Sequence, residues 1–229
     1  MRPVAIISDV HANMEALDSV LGELLGMDVY CLGDFVDYGP EPNEVIETVR
    51  DRGVKGLLGN HDSGALTGDT KLFNARAAMS LKWTARQLTD KNRQYLRGLP
   101  SELKIPFGDA EAYFTHGSPD DRLWEYVDPN THSNLFGHYL GKLGVQVIGL
   151  GHTHVPYVWR EEPGTVFNPG SVGQPRDGDN RASYAILSFD GKEAKVELRR
   201  VPYDYHATAS KIKAAGLPES FAERLASGT

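Results

Sequence analysis

Residues 3–11 read Pro-Val-Ala-Ile-Ile-Ser-Asp-Val-His: a short apolar run that breaks off on an aspartate and a histidine. An unbroken apolar, β-branched run of this length predicts a buried strand. The pattern returns at residues 28–34, Asp-Val-Tyr-Cys-Leu-Gly-Asp, and at residues 54–62, Val-Lys-Gly-Leu-Leu-Gly-Asn-His-Asp. These predict strands over 28–32 and 54–58. Helical spacing of apolar residues fills the intervals, over 13–25 with Asn13 as a cap and over 42–51. The order strand–helix–strand–helix–strand is that of parallel βαβ units and makes the chain α/β.

Further along, residues 73–98 predict one or two helices. Residues 102–107 and 110–115 predict a hairpin around Gly108-Asp109, with Pro106 marking an edge. A polar loop with aromatics over 117–130 precedes a helix over 131–142 and a strand over 145–150. Short strands continue to about 201, with turn signals at Pro163-Gly164, Asp177-Gly178 and Asp190-Gly191. From 204 the tail is helical, interrupted at Gly216-Leu217-Pro218. With no repeat or long linker, residues 1–229 are expected to form a single domain.

Composition narrows the function. The 229 residues carry 24 Lys+Arg against 31 Asp+Glu, a net charge of −7, without the basic stripe of a stable nucleic-acid binder. No apolar run approaches the ~18 residues of a membrane span. The chain opens directly on a strand-like pattern without a signal-peptide core, so a cytoplasmic location is expected. The one cysteine, Cys31, excludes an internal disulfide and a Cys-rich zinc site, and reads as a small buried apolar residue.

Polar clusters follow the strand-like runs: Asp9-Val10-His11, Gly33-Asp34-Phe35-Val36-Asp37, Gly59-Asn60-His61-Asp62, Thr115-His116-Gly117 and Gly151-His152-Thr153-His154. In open α/β sheets, ligands bind beyond the carboxyl ends of strands, so five such clusters can converge in one crevice. The i, i+2 spacing of Asp9 with His11, and of His152 with His154, places each pair on one side if the residues are in strands. Carboxylates, imidazoles and an amide without thiolate suit manganese, iron, zinc or nickel, manganese being the expected ion. Asp9, His11, Asp34, Asn60, His116, His152 and His154 are too many ligands for one catalytic ion and suit two divalent ions sharing a carboxylate.

The ordered set D-x-H, G-D-x-x-D, G-N-H-D, His-Gly and G-H-x-H resembles the calcineurin-like metallophosphoesterase superfamily, in particular its small bacterial and archaeal branch. The likeness runs from residue 5 to about 176 and includes Asn168-Pro169-Gly170-Ser171-Val172-Gly173. It implies a four-layer αββα sandwich of two mixed β-sheets flanked by helices. It also implies that Asp9, His11, Asp34 and His154 hold one ion, that Asp34, Asn60, His116 and His152 hold the other, and that His61 is a non-ligand histidine oriented by Asp37. The expected reaction is attack of a metal-bridging hydroxide on a phosphate ester, with His61 as general acid.

The expected substrate is a small organic phosphate or nucleotide, most readily a phosphodiester. The alternatives are a phosphomonoesterase, including a serine/threonine protein phosphatase, and a non-catalytic metal-binding scaffold, of which the superfamily has examples. Against the protein phosphatase stands Tyr38. That branch has an arginine there, and a tyrosine hydroxyl cannot make its bidentate phosphate clamp. Tyr38, with Arg76, Arg122 and Arg176 as replacement cations, are the candidate substrate-binding residues.

Overall fold

The computed structural model describes residues 2–162 and 164–229. Two five-stranded mixed sheets face one another. The first is ordered β10-β9-β1-β2-β3 and contains β1 (Val4–Ile7), β2 (Val29–Cys31), β3 (Lys55–Gly56), β9 (Ala182–Asp190) and β10 (Glu193–Val201). The second is ordered β4-β5-β6-β8-β7, with β4 (Glu102–Phe107), β5 (Ala110–Thr115), β6 (Val147–Leu150), β7 (Tyr157–Glu161) and β8 (Gly164–Asn168).

The period of two along each strand builds the layers. In β1, Val4 and Ile6 point into the core between the sheets, while Ala5 and Ile7 face the helices α1 (Met14–Glu23) and α2 (Pro42–Asp51). Tyr30 in β2 and Leu187 in β9 repeat the inward set, and Cys31 and Ile186 the outward set. On the second sheet, Phe114 and Phe167 meet the first sheet, while Ile148 and Val166 pack beneath α6 (Pro129–Leu143). The expected αββα sandwich is therefore observed. Among the described residues, no helix is long and apolar enough to cross a membrane.

The parallel pairs β1–β2 and β2–β3 carry out the predicted βαβ order, Ile7 opposite Cys31 and Cys31 opposite Gly56. Cys31 is fully buried, and burial raises its thiol well above the ordinary range. The expected strand over 54–58 is only two residues long, because the chain turns at once toward the site. The 73–98 region resolves into α4 (Ala75–Gln87) and α5 (Asp90–Arg97). The Gly108-Asp109 hairpin is present. Of the turn signal Pro163-Gly164, Pro163 lies outside the described residues.

One helix was not anticipated. α3 (Asn60–Thr67) begins within the Gly59-Asn60-His61-Asp62 cluster. Its sequence has two small residues, Ser63 and Gly64, and no strong apolar period, so only its start is well specified. The tail forms α7 (Tyr205–Ala214) and α8 (Glu219–Ser227). Ile212, Leu217, Phe221 and Leu225 pack with Tyr38 and Ala77. Full burial of each large apolar side chain contributes about 1.5–3 kcal/mol, which fastens the tail beside the site.

Candidate active site

The chain leaves the strands in a left-handed conformation. Eight non-glycine residues among those described have positive φ: Asp9 (54°), His11 (50°), Ala12 (51°), Asp34 (57°), Asp37 (74°), Tyr38 (60°), His152 (67°) and His154 (60°). Every one lies at this site, and such backbone costs on the order of 1–3 kcal/mol per residue. This corrects the expectation that Asp9/His11 and His152/His154 share a side because they lie in strands. β1 ends at Ile7 and β6 at Leu150, and successive left-handed turns aim these side chains inward.

The loops are cross-braced. Asp9 N–H donates to Gly33 O (3.0 Å), His11 N–H to Asp34 O (3.0 Å) and Gly173 N–H to Asp9 O (3.0 Å). Asp62, to which no role was given from sequence, accepts the backbone N–H groups of Asp34 (2.9 Å), Phe35 (2.9 Å), Val36 (3.2 Å) and Gly59 (3.0 Å). It ties the start of α3 to the loop after β2. Gly59 is required there, because a Cβ at that position would overlap the Asp34 carboxylate. Asp62→Asn sets an amide N–H₂ against N–H donors and should lower stability by about 2–3 kcal/mol in urea unfolding. A loss under about 0.5 kcal/mol would show that the brace is dispensable.

Three imidazoles are fixed by backbone carbonyls. The Nδ1 atoms of His11, His116 and His154 face Val36 O (3.0 Å), Leu32 O (2.8 Å) and Gln174 O (2.6 Å). A carbonyl only accepts, so each Nδ1 carries hydrogen and each Nε2 presents its lone pair when the ring is neutral. His11 and His154 Nε2 are 3.1 Å apart. Asp9 Oδ1 is 3.2 Å from His154 Nε2 and 3.8 Å from His11 Nε2. Asp34 Oδ2 is 3.2 Å from His116 Nε2 and 3.7 Å from His11 Nε2, and Asn60 Oδ1 is 3.0 Å from His116 Nε2. Asp9 Oδ1 and Asp34 Oδ2 are buried and accept no hydrogen bond. Carboxylate, amide and imidazole groups converge here on a small buried volume, an arrangement that cations satisfy.

Donor atoms of Asp9, His11 and His154 lie within 4.8 Å of one another, as do those of Asp34, His116 and His152. These trios fall in the two ligand sets expected from sequence. His152 Nε2 is 3.2 Å from Trp124 O, so Nδ1 is its free donor. Tyr126 stacks on the same ring at 3.9 Å. The loop after His116 thus orients His152, a role its sequence left open.

Burial sets most of the protonation states. It pushes His152 down to about 3, with His116 adding to the effect. It also lowers His11, aided by His154, and lowers His154, aided by Arg176, so these rings are neutral, as ligands must be. Burial opposes the charge on His116 too, but the Asp34 and Asp9 carboxylates outweigh it and push that ring up to about 9. Burial likewise works to raise Asp34, and His116 and His61 override it to hold the carboxyl well below its ordinary range.

His61 and Asp37 form a separate pair, His61 Nδ1 to Asp37 Oδ2 at 2.6 Å. Ser80 Oγ donates to Asp37 Oδ1 at 2.5 Å, a partner not evident from the sequence. His61 also groups with His11 and Asp34 within 4.8 Å, so it stands at the edge of the ligand cluster. Burial would lower His61, but Asp34 and Asp37 raise it.

The model of the calcineurin-like phosphoesterase superfamily domain matches residues 1–192. The chain belongs to this superfamily. A metallophosphoesterase from Sphaerobacter thermophilus is 37% identical and aligns with a TM-score of 0.83 over 99% of each chain. A hypothetical protein from Pyrococcus horikoshii OT3, 25% identical, aligns with a TM-score of 0.90 over 100% of this chain and 99% of its own. An uncharacterized protein from Methanocaldococcus jannaschii is 38% identical over 242 residues, 97% of this chain and 96% of its own. The chain is thus a metal-dependent phosphoesterase of the calcineurin-like superfamily, with His/Asp groups able to hold the ions.

The candidate substrate residues of this calcineurin-like phosphoesterase divide. The Tyr38 ring lies 4.6 Å from both His11 and His61, and Arg176 sits over it at 5.8 Å. Tyr38, Arg76 and Arg176 line one cavity. Arg122 stands apart: its guanidinium holds both oxygens of Glu102 (2.8 and 3.1 Å), and it is not among the residues lining that cavity. Arg224 of α8 does line it, and no motif in the tail announces it.

Proposed function

We propose that this phosphoesterase is a two-metal phosphodiesterase acting on a small organic phosphate or nucleotide. The observation that carries the reading is the convergence of two buried carboxylate oxygens, Asp9 Oδ1 and Asp34 Oδ2, on imidazole Nε2 atoms whose rings are anchored through Nδ1 to backbone carbonyls. Asp9, His11, Asp34 and His154 would hold one ion, and Asp34, Asn60, His116 and His152 the other. Manganese is the preferred ion, and the donor set also accepts iron, zinc or nickel. When bound, the ions supply Lewis acidity toward water and neutralise charge on the phosphoryl oxygens.

The chain's own residues contribute alignment and a proton. A water that has given up one proton to solvent bonds through its oxygen to phosphorus, the P–O bond to the leaving alcohol breaks, the alkoxide takes a proton from the His61 imidazolium, and the neutral ring is reprotonated from solvent. Asp37 accepts the Nδ1 hydrogen bond and fixes the ring, so in the imidazolium form Nε2–H is the one free to move. Tyr38 supports a diester. Burial holds its hydroxyl far up in the neutral form, and a neutral donor suits a singly charged diester better than a dianionic monoester.

The test is turnover of bis(p-nitrophenyl) phosphate and p-nitrophenyl phosphate after reconstitution with manganese, nickel, zinc or magnesium. The diester should be preferred and the transition ions should support the higher rates. Absence of hydrolysis of both esters by the metal-loaded protein would overturn the reading.

A further inference from the structure

A cavity of about 500 Å³ opens beside Tyr38, between the first turn of α4, the loop after β8 and the C-terminal α8. Arg76, Arg176 and Arg224 line it, together with Tyr126 and Phe221, and no carboxylate lines it among the described residues. None of the three arginines is paired with a carboxylate among the described residues. Instead, a neutral amide holds two of them side by side: Gln174 Oε1 accepts from Arg176 Nη2 (3.0 Å) and Arg224 Nη1 (3.2 Å). Arg176 Nε is buried and has no partner. Three guanidinium groups gathered this way in a chain of net charge −7 repel one another unless an anion joins them.

The cavity adjoins the active site without being part of its ligand shell. The Tyr38 ring separates Arg176 from His11 and His61, and Tyr126, on the cavity wall, stacks on His152. The three guanidinium groups line this cavity, and none of them belongs to the His/Asp groups able to hold an ion.

We infer that the cavity binds a second phosphate group of the substrate, distinct from the phosphate that is cleaved, so that the preferred substrates are small phosphodiesters bearing a further phosphate. Planar guanidinium forks suit a terminal phosphate, and the aromatic wall of Tyr38, Tyr126 and Phe221 suits the organic part that joins the two. The inference rests on the phosphoesterase reading and deepens it.

A matched pair of substrates tests it on the full-length, manganese-loaded protein: the p-nitrophenyl ester of thymidine 5′-phosphate, with and without a 3′-phosphate. The 3′-phosphate should lower KM by about tenfold or more, with the gain in KM rather than kcat. Arg224→Gln and the exposed Arg76→Gln should each remove most of that gain, and Arg224→Lys should restore part of it, with thermal unfolding as the control for folding. Calorimetry on the metal-free protein gives a second readout: thymidine 3′,5′-bisphosphate should bind more tightly than thymidine 5′-monophosphate, and the Arg76→Gln/Arg224→Gln double variant should lose the difference.

Equal KM values in the wild type, or a 3′-phosphate advantage that survives the double variant, would overturn the inference. Inorganic phosphate that bound without competing with the bisphosphate would place a free ion in the cavity, and would overturn it too. Tight bisphosphate binding with no turnover of either ester would instead sink the phosphoesterase reading and leave the anion site standing.

Discussion

Asp34→Asn is expected to release both metal ions and to reduce turnover by about 10³-fold or more, beyond the 10–100-fold typical of residues that only support a ligand. Asp34 is fully buried. Its Oδ1 accepts the His61 backbone N–H at 2.9 Å, and its Oδ2 faces His116 and His11 Nε2 at 3.2 and 3.7 Å. Among the described residues it is the one carboxylate that faces imidazoles of both histidine groups. Asparagine keeps the shape but removes the charge that would offset two cations, and it can place an N–H₂ where a lone pair is needed. Asp9→Asn, by contrast, removes the carboxylate whose Oδ1 faces the His154 and His11 rings, while its Oδ2 meets the second group only at the His152 backbone N–H (3.2 Å), and should release one ion. Metal content measured beside turnover checks both. An Asp34→Asn protein that kept two ions per chain would remove Asp34 from the bridging position.

His61→Ala should keep both ions and lose about 10²–10⁴-fold in turnover of diesters with alkyl leaving groups, the usual worth of a positioned acid. The loss should be much smaller with p-nitrophenyl leaving groups, which depart without a proton. The His61 ring reaches the ligand cluster through its contact with His11 (4.9 Å) and is held from behind by Asp37 and Ser80. Steady-state rates on the two leaving groups, with metal content measured on the same samples, separate a proton-transfer defect from a binding defect. Alkyl esters cleaved at the wild-type rate would end the general-acid role.

Much of this architecture is legible in the sequence. The runs at 4–7 and 29–32 bury both faces, so they are apolar throughout and stop abruptly where polar chemistry begins. That stop locates Asp9 and Asp34. The spacing of His152 and His154 singles out the two histidines, but not the backbone that presents them. The left-handed φ of Asp9, His11, Asp34, His152 and His154 is secured by crosslinks to residues distant in sequence, such as Gly173 and Asp62, and the modest preference of Asp and His for that region does not by itself select it. The same holds for α3, whose first turn is secured by Asp62 and the loop after β2. Arg122 and Arg224 could not be sorted from sequence. Whether an arginine is spent on Glu102 or reaches the cavity depends on the docking of separate elements.

The central claim, two ions sharing Asp34, is tested most directly by anomalous scattering from crystals grown with manganese. Two peaks are expected in each molecule, one among Asp9, His11 and His154 and one among Asn60, His116 and His152, with the Asp34 carboxylate between them. A single peak, or two peaks of which one lies away from Asp34, would contradict it.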